Sequence, residues 1–175
     1  MSNRGKYTPG AAAKADVRKD GDKWTLILAR ELRHPPSLVW SALTDPKQLA
    51  EWAPFDADRD LGSVGPVKLT TFGAPGPHVT ETKVARAEKE RVLEFTWGGN
   101  LRWELEPSGS GTRLTLWHAI DSQFISWGAA GWHVCFDVLD HLLAGDPIGR
   151  HAGPETMKLE GWQRLTGEYA KQFAS

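Results

Sequence analysis

The order of elements legible in this chain constrains its fold more than any single residue does. An alternating run at Trp24–Arg33 is followed by a short helical stretch, six further strand-like runs, and a long amphipathic helix. In the first run Trp24, Leu26, Leu28 and Leu32 alternate with smaller or polar residues, the period of a half-buried strand. Pro35 and Pro36 end it. Asp45-Pro46-Lys47-Gln48 then carries a helix-start signature: a capping carboxylate, proline at the first helical position and a glutamine able to reach back. Two short helices ending near Trp52 are predicted from it.

The next runs are Asp56–Leu61, Pro66–Phe72, His78–Glu88, Arg91–Trp97, Leu101–Glu106 and Thr112–Ile120, separated by short segments rich in turn residues. Connections this short suit hairpins, so an antiparallel meander is the economical reading. Period two places Leu93, Phe95 and Trp97 on one face, with Leu101, Trp103 and Leu105, and with Leu114, Leu116 and His118. The alternate positions are mainly charged or threonine, and Trp117 breaks that pattern by falling on the polar side. After Asp121 the period changes. Trp132, Cys135, Phe136, Leu139, Leu142 and Leu143 share one arc of a helical wheel, opposite His133, Asp137, Asp140 and His141. Such a helix covers the sheet with its apolar side, and a further helix from about Pro154 carries Trp162, Leu165, Tyr169 and Phe173 at helical spacing. The fold class expected is α+β.

Residues 1–20 show no lasting periodicity and are expected to form a flexible extension ahead of a single domain over 21–175, in which 146–175 is a helical packing addition. The chain's 175 residues fit one domain. Twenty-one basic against 22 acidic residues, with no long block of one sign, argue against a nucleic-acid partner. The single cysteine, Cys135, excludes an internal disulfide, and its neighbours Val134 and Phe136 suit a buried thiol. No membrane-length apolar run occurs, and Met1–Gly21 lacks the apolar stretch of a secretory signal, so a cytoplasmic setting without membrane insertion is expected. Nine tryptophans are the compositional oddity. Large amphipathic rings suit cavity walls as well as cores.

Pro35-Pro36-Ser37-x-Val39-Trp40-x-Ala42-Leu43-Thr44-Asp45-Pro46, then Trp52-Ala53-Pro54, then Thr112-Arg113-Leu114-Thr115-Leu116-Trp117-His118, then Gly131-Trp132 opening a leucine-rich helix, together resemble the helix-grip (SRPBCC) superfamily of START-like and Bet v 1-like proteins. Within it, residues 24–145 look most like the bacterial homologues of the activator of Hsp90 ATPase. The resemblance implies a curved antiparallel sheet of about seven strands around a long C-terminal helix. It further implies an internal cavity for a lipid, polyketide or other apolar small molecule. It carries over no catalytic residue, and nothing here resembles the separate chaperone-binding domain of the eukaryotic activators.

The candidate ligand-binding set is Phe95, Trp97, Leu101, Trp103, Leu116 and His118 from the sheet with Trp132, Phe136 and Leu139 from the helix: apolar walls with few polar groups. The same side chains could equally fill a core. His118 is the inward polar residue, able to hydrogen-bond a ligand or act as acid or base, or simply to satisfy a backbone group. His133, Asp137 and His141 recur at chelating spacing, but their angles place them on a solvated face, with Asp137 and His141 as an i,i+4 pair. No metal site, cofactor or catalytic residue is therefore assigned. The glycine-rich turns lack a phosphate-loop pattern, and Ser37, Ser41 and Ser126 lack a nucleophile elbow. The segment Gly73-Ala74-Pro75-Gly76-Pro77 could gate a cavity. Three function classes follow: binding of a small apolar molecule, cyclase or dehydratase chemistry in the same cavity, or an Hsp90-activator-like interaction module. In the last, Trp117 is the best handle and a possible homodimer contact.

Overall fold

The structure is a computed structural model that describes residues 7–21, 23–72, 76–151 and 154–174. Its strands are β1 (Ala15–Asp20), β2 (Lys23–Leu32), β3 (Phe55–Ala57), β4 (Gly65–Thr71), β5 (His78–Glu88), β6 (Val92–Trp97), β7 (Gly99–Ser108) and β8 (Gly111–Asp121). Two helices, α1 (Pro36–Thr44) and α2 (Pro46–Trp52), lie between β2 and β3. A short 3-10 turn (Ser122–Phe124) leads into α3 (Ile125–Leu143), and α4 (Pro154–Met157) and α5 (Trp162–Phe173) follow. All strands pair antiparallel in one curled sheet, in the order β1-β2-β8-β7-β6-β5-β4-β3.

The sheet has eight strands where seven were expected. The addition is β1, from the segment read as a flexible extension; it pairs with β2 from Ala15↔Leu28 to Asp20↔Lys23. Residues 1–6 lie outside the described residues, and so do Gly73–Pro75 of the segment considered as a gate.

Local chemistry accounts for the helices. Asp45 caps α2, its Oδ1 accepting from the Lys47 amide at 3.1 Å, and Pro46 occupies a position whose amide has no helical partner. Gln48 reaches back to the Asp45 carboxylate at 3.4 Å rather than to its backbone. The indole N–H of Trp52 donates to the Ala42 carbonyl at 2.8 Å, tying α2 to α1. A register shift between Val84 and Arg86 bulges β5, a defect that bends and twists a sheet.

The concave face carries the predicted inward set. Leu93, Phe95, Leu101, Trp103, Leu105, Leu114, Leu116 and His118 are all buried, and cross-strand pairs such as Phe95↔Leu101, Trp103↔Leu116 and Leu101↔His118 stack them in rows. Helix α3 packs over these rows with Trp132, Cys135, Phe136 and Leu139 buried. Its opposite side is the solvated face that the wheel suggested only in part: Asp140 is exposed, whereas Ala130, His133, Val134 and Val138 are buried. Helix α5 covers that side with Trp162, Leu165, Tyr169 and Phe173. His133 Nδ1 meets the Tyr169 hydroxyl at 2.7 Å. Asp137 accepts from Arg30 at 2.8 Å and from the Tyr7 hydroxyl at 2.5 Å, and His141 faces Asp146 at 3.4 Å. The expected Asp137–His141 pair is thus not made: Asp137 is held by the distant Arg30 and Tyr7 and faces His133 one turn earlier at 3.5 Å, while His141 turns to Asp146.

Candidate functional site

Three elements converge at one end of the grip. β6 ends in Trp97, β8 brings His118, Ala119 and Ile120, and α3 brings Trp132 about two turns below its start. Trp97 and His118 stack with ring centroids 5.6 Å apart and planes 19° apart. Trp132 stands edge-on to both, at 5.8 Å from each. From there the rings continue inward: Trp103 against Trp132 at 5.4 Å, Phe136 against Trp103 at 5.9 Å, and Trp52 against Trp103 at 5.9 Å. Edge-to-face contacts at these separations are the favoured geometry of packed aromatics.

The nine residues singled out from sequence therefore form one contiguous layer between sheet and helix. Eight of them are at most 6 % exposed: Phe95, Leu101, Trp103, Leu116, His118, Trp132, Phe136 and Leu139. All but His118 belong to or pack against one hydrophobic core. Trp97 alone is half-buried, and with His118 it also lines a pocket of about 450 Å³ that opens at this end of the sheet. Thr71, His78, Ile120 and Asp121 complete much of its wall, and Gly98 and Gly99 contribute bare backbone. Ile120 lies two residues beyond His118 on the same strand, so period two could have found it. Thr71 and His78 were hidden because only the sheet's pairing, Thr71↔His78, brings those strand ends to the mouth.

Hydrogen bonding fixes the chemistry of His118. An indole N–H can only donate, so the Trp132 Nε1–H donates to His118 Nδ1 at 3.1 Å. Nδ1 is then the acceptor, and Nε2 carries the proton, which it donates to the Trp97 carbonyl at 2.9 Å. Burial holds the pKa of this imidazole below its ordinary 6.5, opposed by the bond to the Trp97 carbonyl. Protonation would set a second N–H against the Trp132 N–H. The ring is thus a neutral bridge between β6 and α3. Trp97 is positioned from the other side by its own N–H, which donates to the Thr71 hydroxyl at 2.9 Å.

Cys135 is buried, and burial pushes its thiol up to about 12. Among the described residues no three His, Cys, Asp or Glu side chains gather as a metal site, and no helix is long and apolar enough to cross a membrane. On the outer face Trp117 stands opposite Arg102 in the register, and among the described residues its indole N–H has no hydrogen-bond partner.

Comparison with known proteins gives the architecture its relatives. A conserved protein of unknown function from Enterococcus faecalis, EF2215, superposes with a TM-score of 0.69 at 18 % identity, over 92 % of this chain and 91 % of its own. CalU16 from Micromonospora echinospora does so with a TM-score of 0.67 at 24 % identity, over 93 % and 97 %. NE0264 from Nitrosomonas europaea is matched over 98 % of its length but only 73 % of this chain, at 24 % identity and a TM-score of 0.58. These likenesses establish the fold. No curated protein matches the chain in sequence. The sequence pattern described as activator of Hsp90 ATPase homolog 1-like protein matches residues 33–144, a stretch that runs from the end of β2 to the end of α3 and so contains both the aromatic layer and its mouth. By that match and by its helix-grip architecture, the chain belongs to the activator of Hsp90 ATPase homolog 1-like family within the SRPBCC superfamily.

Proposed function

We propose that the chain binds a compact, mostly apolar small molecule at the mouth of the grip, with Trp97 and Ile120 as the apolar wall and Thr71, His78 and Asp121 as polar groups that orient it. The observation that carries this reading is the pocket beside the half-buried Trp97 indole. Its volume of about 450 Å³ is within the range of small-molecule sites, roughly 300–1,000 Å³. The filled aromatic layer behind it supports a ligand of one or two rings over a long acyl chain laid along the interior. Cyclase or dehydratase chemistry is less supported, because both ring nitrogens of His118 are engaged within the protein.

A second reading, a protein-interaction module, draws on Phe124 and Trp127, which are 52 % and 55 % exposed just before and within the first turn of α3. The deciding experiment is native mass spectrometry of the protein purified from its own host, followed by a thermal-shift panel of compact aromatics and long-chain lipids. Binding of a compact compound that quenches tryptophan fluorescence and is lost in Ile120→Trp, with thermal stability retained, is the expected result. Preferential binding of long-chain lipids overturns the compact-ligand reading. No binding by either class overturns the container reading and leaves the interaction module.

A further inference from the structure

The polar groups at the mouth of the grip are mostly donors. Thr71 lines it from the end of β4, His78 and Thr80 from the start of β5, and Asp121 from the end of β8. The two threonines are half-buried, while His78 and Asp121 are exposed. The Trp97 indole N–H donates to Thr71 Oγ1 at 2.9 Å. That oxygen is therefore already an acceptor, and its own proton remains to be given. Among the described residues no group takes it, because the bond from Trp97 is the one that the Thr71 side chain makes.

Thr71 is also the best held of these donors. Its oxygen is tied to Trp97, and Trp97 stacks on His118, whose Nε2–H donates to the Trp97 carbonyl. His118 is fixed in turn by the Trp132 N–H. A chain of contacts thus runs from α3 through β8 and β6 to β4 and ends in an O–H on a residue that lines the mouth. A donor fixed in advance loses less freedom when a ligand binds than one that must first be ordered.

Asp121 sets the charge. Its carboxylate caps the 3-10 turn, accepting from the Gln123 amide at 3.2 Å and from the Gln123 side chain at 3.4 Å. Lys23 stands opposite it in the register but is not part of the lining, which among the described residues holds no lysine or arginine. An anionic ligand would bring like charge to a mouth walled by Trp97 and Ile120, and that repulsion grows as water is excluded.

Resting on the mouth as the binding site, we propose that it selects an uncharged ring compound bearing a hydrogen-bond acceptor, such as a carbonyl or a ring nitrogen. The Thr71 hydroxyl donates to that acceptor, and Asp121 turns away acids of the same shape. Thr71 is the specificity-determining residue.

The test is calorimetric titration at pH 8 with three naphthalenes substituted at the same carbon. Acetylnaphthalene carries an acceptor, isopropylnaphthalene has the same shape without one, and naphthoate is anionic. Wild type, Thr71→Ser, Thr71→Val and Asp121→Asn are compared, with thermal melts alongside. Wild type is expected to bind the ketone about fivefold more tightly than the hydrocarbon and about tenfold more tightly than naphthoate. Thr71→Ser keeps most of the first ratio and Thr71→Val abolishes it. Asp121→Asn raises naphthoate affinity about fivefold and leaves the other two unchanged. The readout is a ratio, so a general loosening of the mouth, which weakens ketone and hydrocarbon together, is told apart from loss of the donor. Equal binding of ketone and hydrocarbon by the wild type overturns the proposal, whether or not Thr71→Val folds. A ratio that survives in Thr71→Val, or naphthoate bound as tightly as the ketone, overturns it as well. A wild-type chain that binds none of the three overturns the mouth as a binding site, and this proposal with it.

Discussion

At the residue scale His118 shows how a polar side chain can be a structural bridge and still shape a binding site. Its place on the inward face followed from period two, but its partners did not. Trp97 is on another strand and Trp132 on the helix, and only the folded sheet brings them to 2.9 and 3.1 Å. Replacing His118 with alanine leaves a buried carbonyl and a buried indole N–H unpaired, at about 1–3 kcal/mol each. His118→Ala should therefore lose about 2–6 kcal/mol of stability in urea denaturation, and His118→Gln, which keeps a donor and an acceptor, should lose clearly less. Equal losses in the two variants would mean that ring packing, rather than the two bonds, holds the site together.

The same residue makes stability depend on pH, and so does His133, because burial holds both imidazoles below their ordinary 6.5. Between the folded and unfolded values the unfolded chain binds more protons, so stability rises with pH. Their contribution is fully present above about 6.5, declines as pH falls through that value, and levels off once the folded-state groups also protonate. Urea titrations stepped from pH 8 to pH 5 should show this decline, and His118→Gln should flatten part of it. An unchanged slope in the variant would remove His118 from the account.

At the scale of elements, strand positions and the two short helices were legible because turn residues and alternation report them locally. The outer side of α3 was not. Reading His133, Asp137 and His141 as a solvated face is sound when only the helix is considered, since charged groups normally face water. The structure satisfies Asp137 with Arg30 and Tyr7, 107 and 130 residues away, and His133 with Tyr169, 36 residues away. No spacing rule reaches that far. Residues 7–20 are hidden for the same reason: α5 side chains and the ladder to β2 order them, and neither signal lies in their own sequence. Asp137→Ala leaves Arg30 facing a lost partner at sites about one-fifth exposed, and should cost about 2–3 kcal/mol, below the 3–5 of a fully buried pair. Tyr7→Phe removes one bond and should cost about 1 kcal/mol. Chemical denaturation of both variants checks the order, and equal losses would show that the Tyr7 bond, which Asp137→Ala also removes, outweighs the ion pair between β2 and α3.

For the molecule as a whole, the grip couples helix placement to the shape of the mouth. From sequence the nine candidate residues read equally as a cavity lining or as core, and in the structure eight of them are buried. Sequence records which side chains face inward, whereas whether they meet depends on how closely the helix approaches the sheet. Helix and sheet meet tightly where α3 carries Gly128: a Cβ there would lie 2.5 Å from Ile120 Cδ1, the end of a flexible side chain that also walls the pocket. Gly128→Ala should therefore keep the fold, since Ile120 can turn and alanine favours helix over glycine by about 1 kcal/mol. The displaced methyl has the pocket beside it, so affinity for a mouth-bound ligand should fall by about tenfold, or about 1.4 kcal/mol. Adding Ile120→Ala removes the displaced group and should restore binding in the double variant. Calorimetric titration of the single and double variants, with thermal melts alongside, distinguishes the possibilities. If Gly128→Ala weakens binding and the double variant does not recover, the helix itself has shifted and Ile120 is not the wall of the site.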